Sequence, residues 1–137
     1  MQDMNKQLKV LIINGSPRVG GNTSVALREM ETVFNEQGVE TEIVQIGAEP
    51  VRGCASCGYC YEHDRCVFDD VVNTLAPKFE AADGLVVASP VYFANANATL
   101  VACLDRLFYS TSFDKTMKVG ASVVGARRGG CSAERTS

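Results

Sequence analysis

Leu8-Lys9-Val10-Leu11-Ile12-Ile13 runs directly into Asn14-Gly15-Ser16-Pro17-Arg18-Val19-Gly20-Gly21-Asn22-Thr23-Ser24, and this junction decides the fold. A short aliphatic run without polar alternation reads as a strand buried on both faces, the habit of parallel sheets. Gly15 to Ser24 is turn chemistry. A helix follows, with Ala26, Met30, Val33 and Phe34 at helical spacing and Gly38 as its stop. Thr41 to Ile46 alternates and forms the second strand, and residues 47–68 form a long loop. Asp69-Asp70 caps a helical stretch through Ala82, which Pro77 breaks or kinks. Gly84 to Ser89 is the third strand; Leu100, Val101, Leu104, Leu107 and Phe108 mark one face of the next helix; Lys118 to Ala126 is the fourth strand. Strands alternating with helices predict a doubly wound parallel α/β sheet, whose ligands bind outside the carboxyl ends of the strands.

The chain has 137 residues, room for one core and a single domain, 1–137. Its 13 basic and 16 acidic residues give a net charge of −3, without the basic stripe that nucleic acid or an anionic membrane requires. The apolar runs are too short to span a bilayer, and Met1 to Gln7 lacks the apolar region of a secretion signal. A cytoplasmic setting is expected, where six cysteines point to metal or redox chemistry rather than to structural disulfides.

The loop after the first strand has the makings of an anion site. A strand-to-helix turn offers free backbone N–H groups at the positive end of a helix dipole. Ser16, Thr23 and Ser24 add hydroxyls, Asn22 an amide and Arg18 a positive charge, a set suited to a terminal phosphate monoester. No G-x-G-x-x-G dinucleotide fingerprint, nucleotide P-loop or cysteine-phosphatase loop is present. In the plainer reading, Asn22 or Thr23 simply caps the helix.

Cys54-x2-Cys57-x2-Cys60-x5-Cys66 places four thiols in thirteen residues of the 47–68 loop, within reach of one small metal centre. A 4Fe–4S cluster suits this ladder best. Zinc, which favours separated cysteine pairs, and a metal-free loop with reversible thiol chemistry stay open. His63 lies inside the loop and is able to ligate, but a lone exposed histidine is the expectation, and Cys103 is expected to pack in the core.

Taken in order, Gly15-Ser16-Pro17-Arg18 with Gly21-Asn22-Thr23, the cysteine ladder, Asp69-Asp70, Ala82-Asp83-Gly84, Ser89 to Phe93, Leu104-Asp105-Arg106 and Arg127-Arg128-Gly129-Gly130 resemble the NADPH-dependent FMN reductase family. The resemblance runs from Lys9 to Gly130 and is strongest to its iron–sulfur flavoprotein branch. It implies a flavodoxin-like fold, FMN as cofactor and NAD(P)H as a transient electron donor. The acceptor would be a small molecule or a redox protein such as ferredoxin, and the assembly a homodimer or homotetramer. Pro90, Val91, Tyr92 and Phe93 would then line the flavin ring; the plainer alternative is that the aromatics simply close the sheet end. Asn95 and Asn97 would hydrogen-bond the ring or ribityl chain, with Asn97 equally placed to cap a helix. Ala126, Arg127, Arg128, Gly129 and Gly130 would approach the pyrimidine edge, where the arginines stabilise an anionic reduced flavin. Asp69 and Asp70 read as helix-capping acids, and no side chain is assigned as catalytic.

A flavodoxin-like sheet has five strands and a last helix, whereas four strands are counted here. The expectation is a C-terminally incomplete domain, with the loop 47–68 as an insertion. Two other readings remain: an FMN and iron–sulfur electron carrier without turnover of its own, and a cysteine-based metal or redox sensor.

Overall fold

The computed structural model describes residues 7–92 and 95–126. In chain order the elements are β1 (Lys9–Asn14), α1 (Asn22–Glu36), β2 (Glu40–Gln45), α2 (Tyr59–His63), α3 (Val71–Ala81), β3 (Gly84–Tyr92), β4 (Asn95–Ala96), α4 (Ala98–Ser110) and β5 (Val119–Gly125). The long strands are parallel and lie in the order β2-β1-β3-β5. This is the doubly wound, flavodoxin-like arrangement.

β1 is central and pairs on both edges, Ile12 standing against Ile43 of β2 and Val86 of β3. Successive strand residues face opposite sides, so Leu11 and Ile13 enter one core with Val72, Leu75 and Phe79 of α3 and Leu100, Cys103 and Leu107 of α4. Ile12 enters the smaller core on the other side, with Val86, Ala88 and Leu27 of α1. A strand wedged between two cores must be apolar at consecutive positions, which is why its sequence does not alternate.

Four expectations need correction. The buried stripe of α1 is Thr23, Ser24 and Leu27, continued by the half-buried Met30 and Phe34; Ala26 and Val33 face solvent. On α4 the buried face is Leu100, Cys103, Arg106, Leu107 and Ser110, while Val101 and Phe108 lie outside it. In both helices polar residues, among them Ser24 bonded to Asn14 and Arg106 paired with Asp70, take places on the buried face that hydropathy alone assigns to apolar ones. Pro77 does not break α3, which continues to Ala81. The last turn is anchored by Phe79, whose ring meets Phe108 and Phe113 edge-on at 5.4 and 5.2 Å. Finally, β3 extends past Ser89 to Tyr92 and turns back into the short antiparallel β4. Pro90 is tolerated there because pairing with β1 ends at Ala88, so its missing N–H leaves that ladder intact.

Within the predicted loop 47–68 a short helix, α2, forms. At the far side of the sheet β5 is an edge among the described residues, with Val119 71% exposed. No helix among the described residues is long and apolar enough to cross a membrane.

Cys103 lies fully buried between α4 and the sheet, as expected for a packing residue. Burial, reinforced by the nearby Asp70 carboxylate, pushes its thiol from 9.0 up to about 12. Between these values the folded chain keeps a proton that the unfolded chain releases, so stability falls as pH rises through that window. Denaturant midpoints measured from pH 8 upward should show this fall, and Cys103→Ala should flatten it.

Candidate functional site

The loop after β1 is held from several directions. Asn14 closes its start: Oδ1 accepts the Ser16 N–H at 2.9 Å and Nδ2 donates to Ser24 Oγ at 3.1 Å. The Gly15 N–H donates to the Ala88 carbonyl of β3 at 2.8 Å. From β2, the Gln45 side-chain amide donates to the carbonyls of Ser16 and Arg18, both at 2.9 Å. Gly47 passes so close beneath that a Cβ there would lie 2.3 Å from the Gly15 carbonyl oxygen, which leaves no room for any side chain.

Asn97 ties this loop to α4. Its Nδ2 donates to the Gly15 carbonyl, and its Oδ1 caps α4 by accepting the Leu100 N–H at 3.1 Å. Its own N–H donates to Ser89 Oγ at 3.0 Å, while that hydroxyl donates to the Pro90 carbonyl at 2.7 Å. Of the two readings of Asn97, the structure favours the cap: the buried amide is occupied within the fold.

Of the expected anion-loop residues, Arg18 and Asn22 are exposed whereas Ser16, Thr23 and Ser24 are buried. Neither Asn22 nor Thr23 is the cap of α1. That position belongs to Gly21, and no side chain caps the helix. The first-turn N–H groups therefore open on the carboxyl edge of the sheet without a side-chain acceptor. β3 and β5 end at the same edge, with Pro90 paired to Gly125. The Gly125 backbone in turn lies beside the Thr23 hydroxyl, 3.6 Å from where a Cβ would stand. Pro90 and Val91 are half-buried, and Tyr92, Asn95 and Ala126 exposed. Asn95 Oδ1 accepts the Ala96 N–H at 2.9 Å. Phe93, Arg127, Arg128, Gly129 and Gly130 lie outside the described residues.

A separate cavity of about 330 Å³ lies in the cysteine segment, lined by Cys54, Cys57, Cys60 and Cys66. Left-handed backbone at Ser56 (φ 55°) and Gly58 (φ 77°) coils the chain between the first three cysteines, and the Ser56 N–H donates to Cys54 Sγ at 3.3 Å. The Asn73 side chain pins Cys66 by accepting its N–H and donating to its carbonyl, both at 3.0 Å. Among the described residues no three metal-ligating groups are gathered into a coordination sphere. His63 faces solvent and stacks on Tyr59, ring centroids 3.8 Å apart.

Beneath Cys66 sits a buried cation that the sequence reading passed over. Arg106 Nη1 and Nη2 bind the Asp70 carboxylate at 2.7 and 3.0 Å, and its remaining N–H groups reach the Arg52 and Phe68 carbonyls and Cys66 Sγ. Burial opposes its charge, but the bonds to Asp70 and Cys66 outweigh this and raise its pKa further. Asp70 also caps α3 by accepting the Val72 N–H at 3.1 Å, so the capping role expected of it holds alongside the ion pair. The signal for Arg106 was available: an arginine at core spacing in Leu104-Asp105-Arg106-Leu107 needs a buried partner. For Asn14, Gln45 and Gly47, the local sequence gives no such signal.

Two substitutions test how the first loop is held. Asn97→Ala removes a helix cap and strands a buried carbonyl, and should cost about 2–3 kcal/mol in denaturant unfolding. Gly47→Ala should lower the unfolding midpoint and speed amide hydrogen exchange at Ser16 and Arg18, since only displacement of the loop relieves the clash.

Comparison with known proteins places this geometry. The family model for NADPH-dependent FMN reductase matches residues 8–136. The chain is 42% identical over 127 residues to an iron-sulfur flavoprotein of Methanosarcina thermophila, covering 90% of this chain and 66% of that protein. It is 38% identical over 125 residues to an iron-sulfur flavoprotein of Methanocaldococcus jannaschii, covering 90% and 65%. It thus spans just under two thirds of the length of each. Among solved structures, RosB with a bound 8-demethyl-8-formylriboflavin-5'-phosphate intermediate superposes with a TM-score of 0.74 over 94% of this chain and 56% of that one, at 18% identity, a likeness of fold. With the family model matched along almost its whole length, the chain belongs to the NADPH-dependent FMN reductase family.

Proposed function

We propose that this chain carries the FMN site of an NAD(P)H-dependent flavin oxidoreductase, with a 4Fe–4S cluster on Cys54, Cys57, Cys60 and Cys66. The observation that carries the flavin reading is the uncapped start of α1, facing the edge where β3 and β5 also end. A terminal phosphate fits there: N–H groups of the first turn, the hydroxyls of Ser16, Thr23 and Ser24, the Asn22 amide and the Arg18 guanidinium would hold it. Pro90, Val91, Tyr92, Phe93 and Asn95 would wall the ring. Ala126, Arg127, Arg128, Gly129 and Gly130 would approach its pyrimidine edge.

FMN, when bound, supplies acceptance of a hydride and release of electrons; the chain binds it, orients it and sets the charge around it. NAD(P)H would dock transiently over the ring. The acceptor would be a small molecule or a redox protein such as ferredoxin, in a cytoplasmic homodimer or homotetramer. The loop 47–68 is an insertion in a single domain. The open edge of β5, together with the greater length of the relatives, supports a further strand and helix in the complete fold.

The cysteine cavity suits a sulfur-ligated cluster in its chemistry. The four cysteines share it, Arg106 directs N–H groups at Cys66 Sγ, and the buried Ser110 hydroxyl beside it has no hydrogen-bond partner among the described residues. A visible spectrum with iron and acid-labile sulfide assays on anaerobically purified protein tests both centres. Flavin bands over a broad brown absorbance, with about four irons per chain, are expected. A yellow, iron-free protein would remove the cluster and leave the flavin reading.

In FMN titrations, Arg18→Ala should weaken binding about tenfold or more, the worth of a charge-assisted hydrogen bond. Unchanged affinity would reject the phosphate assignment. Steady-state oxidation of NAD(P)H with a quinone or free flavin should be measurable; its absence from FMN-loaded protein would favour the electron carrier.

A further inference from the structure

The cysteine cavity has a wall that no cysteine supplies. Arg106 and Ser110 are four residues apart on α4, so they share a face one turn apart, and both line the cavity. Nε and Nη2 of Arg106 lie 3.3 and 3.4 Å from Cys66 Sγ, and Asp70 holds the guanidinium in that orientation. Ser110 is 3% exposed, and its Oγ has no hydrogen-bond partner among the described residues.

This orphan is informative. A buried serine or threonine in or at the end of a helix can satisfy its hydroxyl on the carbonyl four residues back, as Thr111, the residue that closes α4, does on Leu107 at 2.7 Å. Ser110 makes no such bond. A buried hydroxyl left unpaired is costly, and this one borders a cavity lined with sulfur. A sulfur-rich acceptor occupying that cavity would satisfy it.

We propose that Arg106 and Ser110 are positioning residues for the iron–sulfur group: Arg106 fixes the Cys66 sulfur, and the Ser110 hydroxyl donates to a sulfur of the bound group. The inference rests on the cluster reading above. Hydrogen bonds to sulfur favour the more negative, reduced state, so both residues raise the reduction potential of the centre. α4 then does two jobs. One end is tied to the first loop through Asn97, and the other supports the cysteine cavity.

The test compares wild type, Ser110→Ala, Ser110→Thr and Arg106→Lys after anaerobic reconstitution with iron and sulfide. Its readouts are iron and sulfide per chain, the midpoint potential of the centre by redox titration, and the melting temperature of the metal-free protein. Ser110→Ala should load the same iron with a several-fold less favourable one-electron reduction equilibrium. Its metal-free form should melt higher, because the orphan hydroxyl is gone. Ser110→Thr, which keeps the hydroxyl, should restore the wild-type potential. Arg106→Lys should bind less iron or shift the potential downward; if it fails to fold, the serine variants decide alone. A Ser110→Ala potential equal to wild type overturns the proposal, whatever the metal-free protein does. If wild type itself takes up no iron, the cluster reading fails and the proposal falls with it.

Discussion

The organising constraint of this molecule is that β1 is buried on both faces and paired along both edges. Its buried stretch, Leu11 to Ile13, carries no polar side chain, and polarity returns abruptly at Asn14, where the strand ends. Because its neighbours run parallel, their carboxyl ends reach the same edge, and the chain must cross over through helices to begin each new strand. The turn chemistry of Gly15 to Ser24 and the ends of β3 and β5 come together for that reason. The site's location is a consequence of strand direction, before any side chain is considered.

Holding those loops still is a separate problem, solved with side-chain amides, two of them buried (Asn14 and Asn97) and one half-buried (Gln45). Asn14, Gln45 and Asn97 spend their side chains on the backbone around Gly15 to Arg18. Each bond is worth about 1 kcal/mol, but stranding a buried partner costs more, so the set acts as a clamp. Arg18 and Asn22 take no part in it with their side chains and face solvent. The start of α1 has no side-chain cap, so its first-turn N–H groups are not taken by a side chain of the helix's own cap residue.

The second site follows a different logic. Taking Arg106 out of water costs several kcal/mol, which Asp70 and the ring of carbonyl and sulfur acceptors repay only when all are in place. A leucine would fill such a position with less risk. What the ion pair adds is direction: N–H groups aimed at Cys66 from a rigid helix, with Ser110 beside them. The two regions share α4 as a common support.

Much of this was legible in the sequence. The aliphatic run Val10–Ile13 marked the buried parallel strand, the glycine-rich stretch marked the turn between β1 and α1, and the cysteine spacing marked a second region, because each is a local pattern of one segment. Hydropathy did not reveal which stripe of α1 or α4 faces the sheet, since Ser24, Arg106 and Ser110 are buried against its expectation. Nor did it show that α3 would continue unbroken past Pro77 to Ala81, or that β3 would run on to Tyr92. The roles of Asn97 and Arg106 rest on partners 82 and 40 residues away in the chain. A residue's own segment fixes its backbone tendency, but a buried polar group is satisfied by whatever the fold brings beside it, and only the tertiary structure supplies that partner.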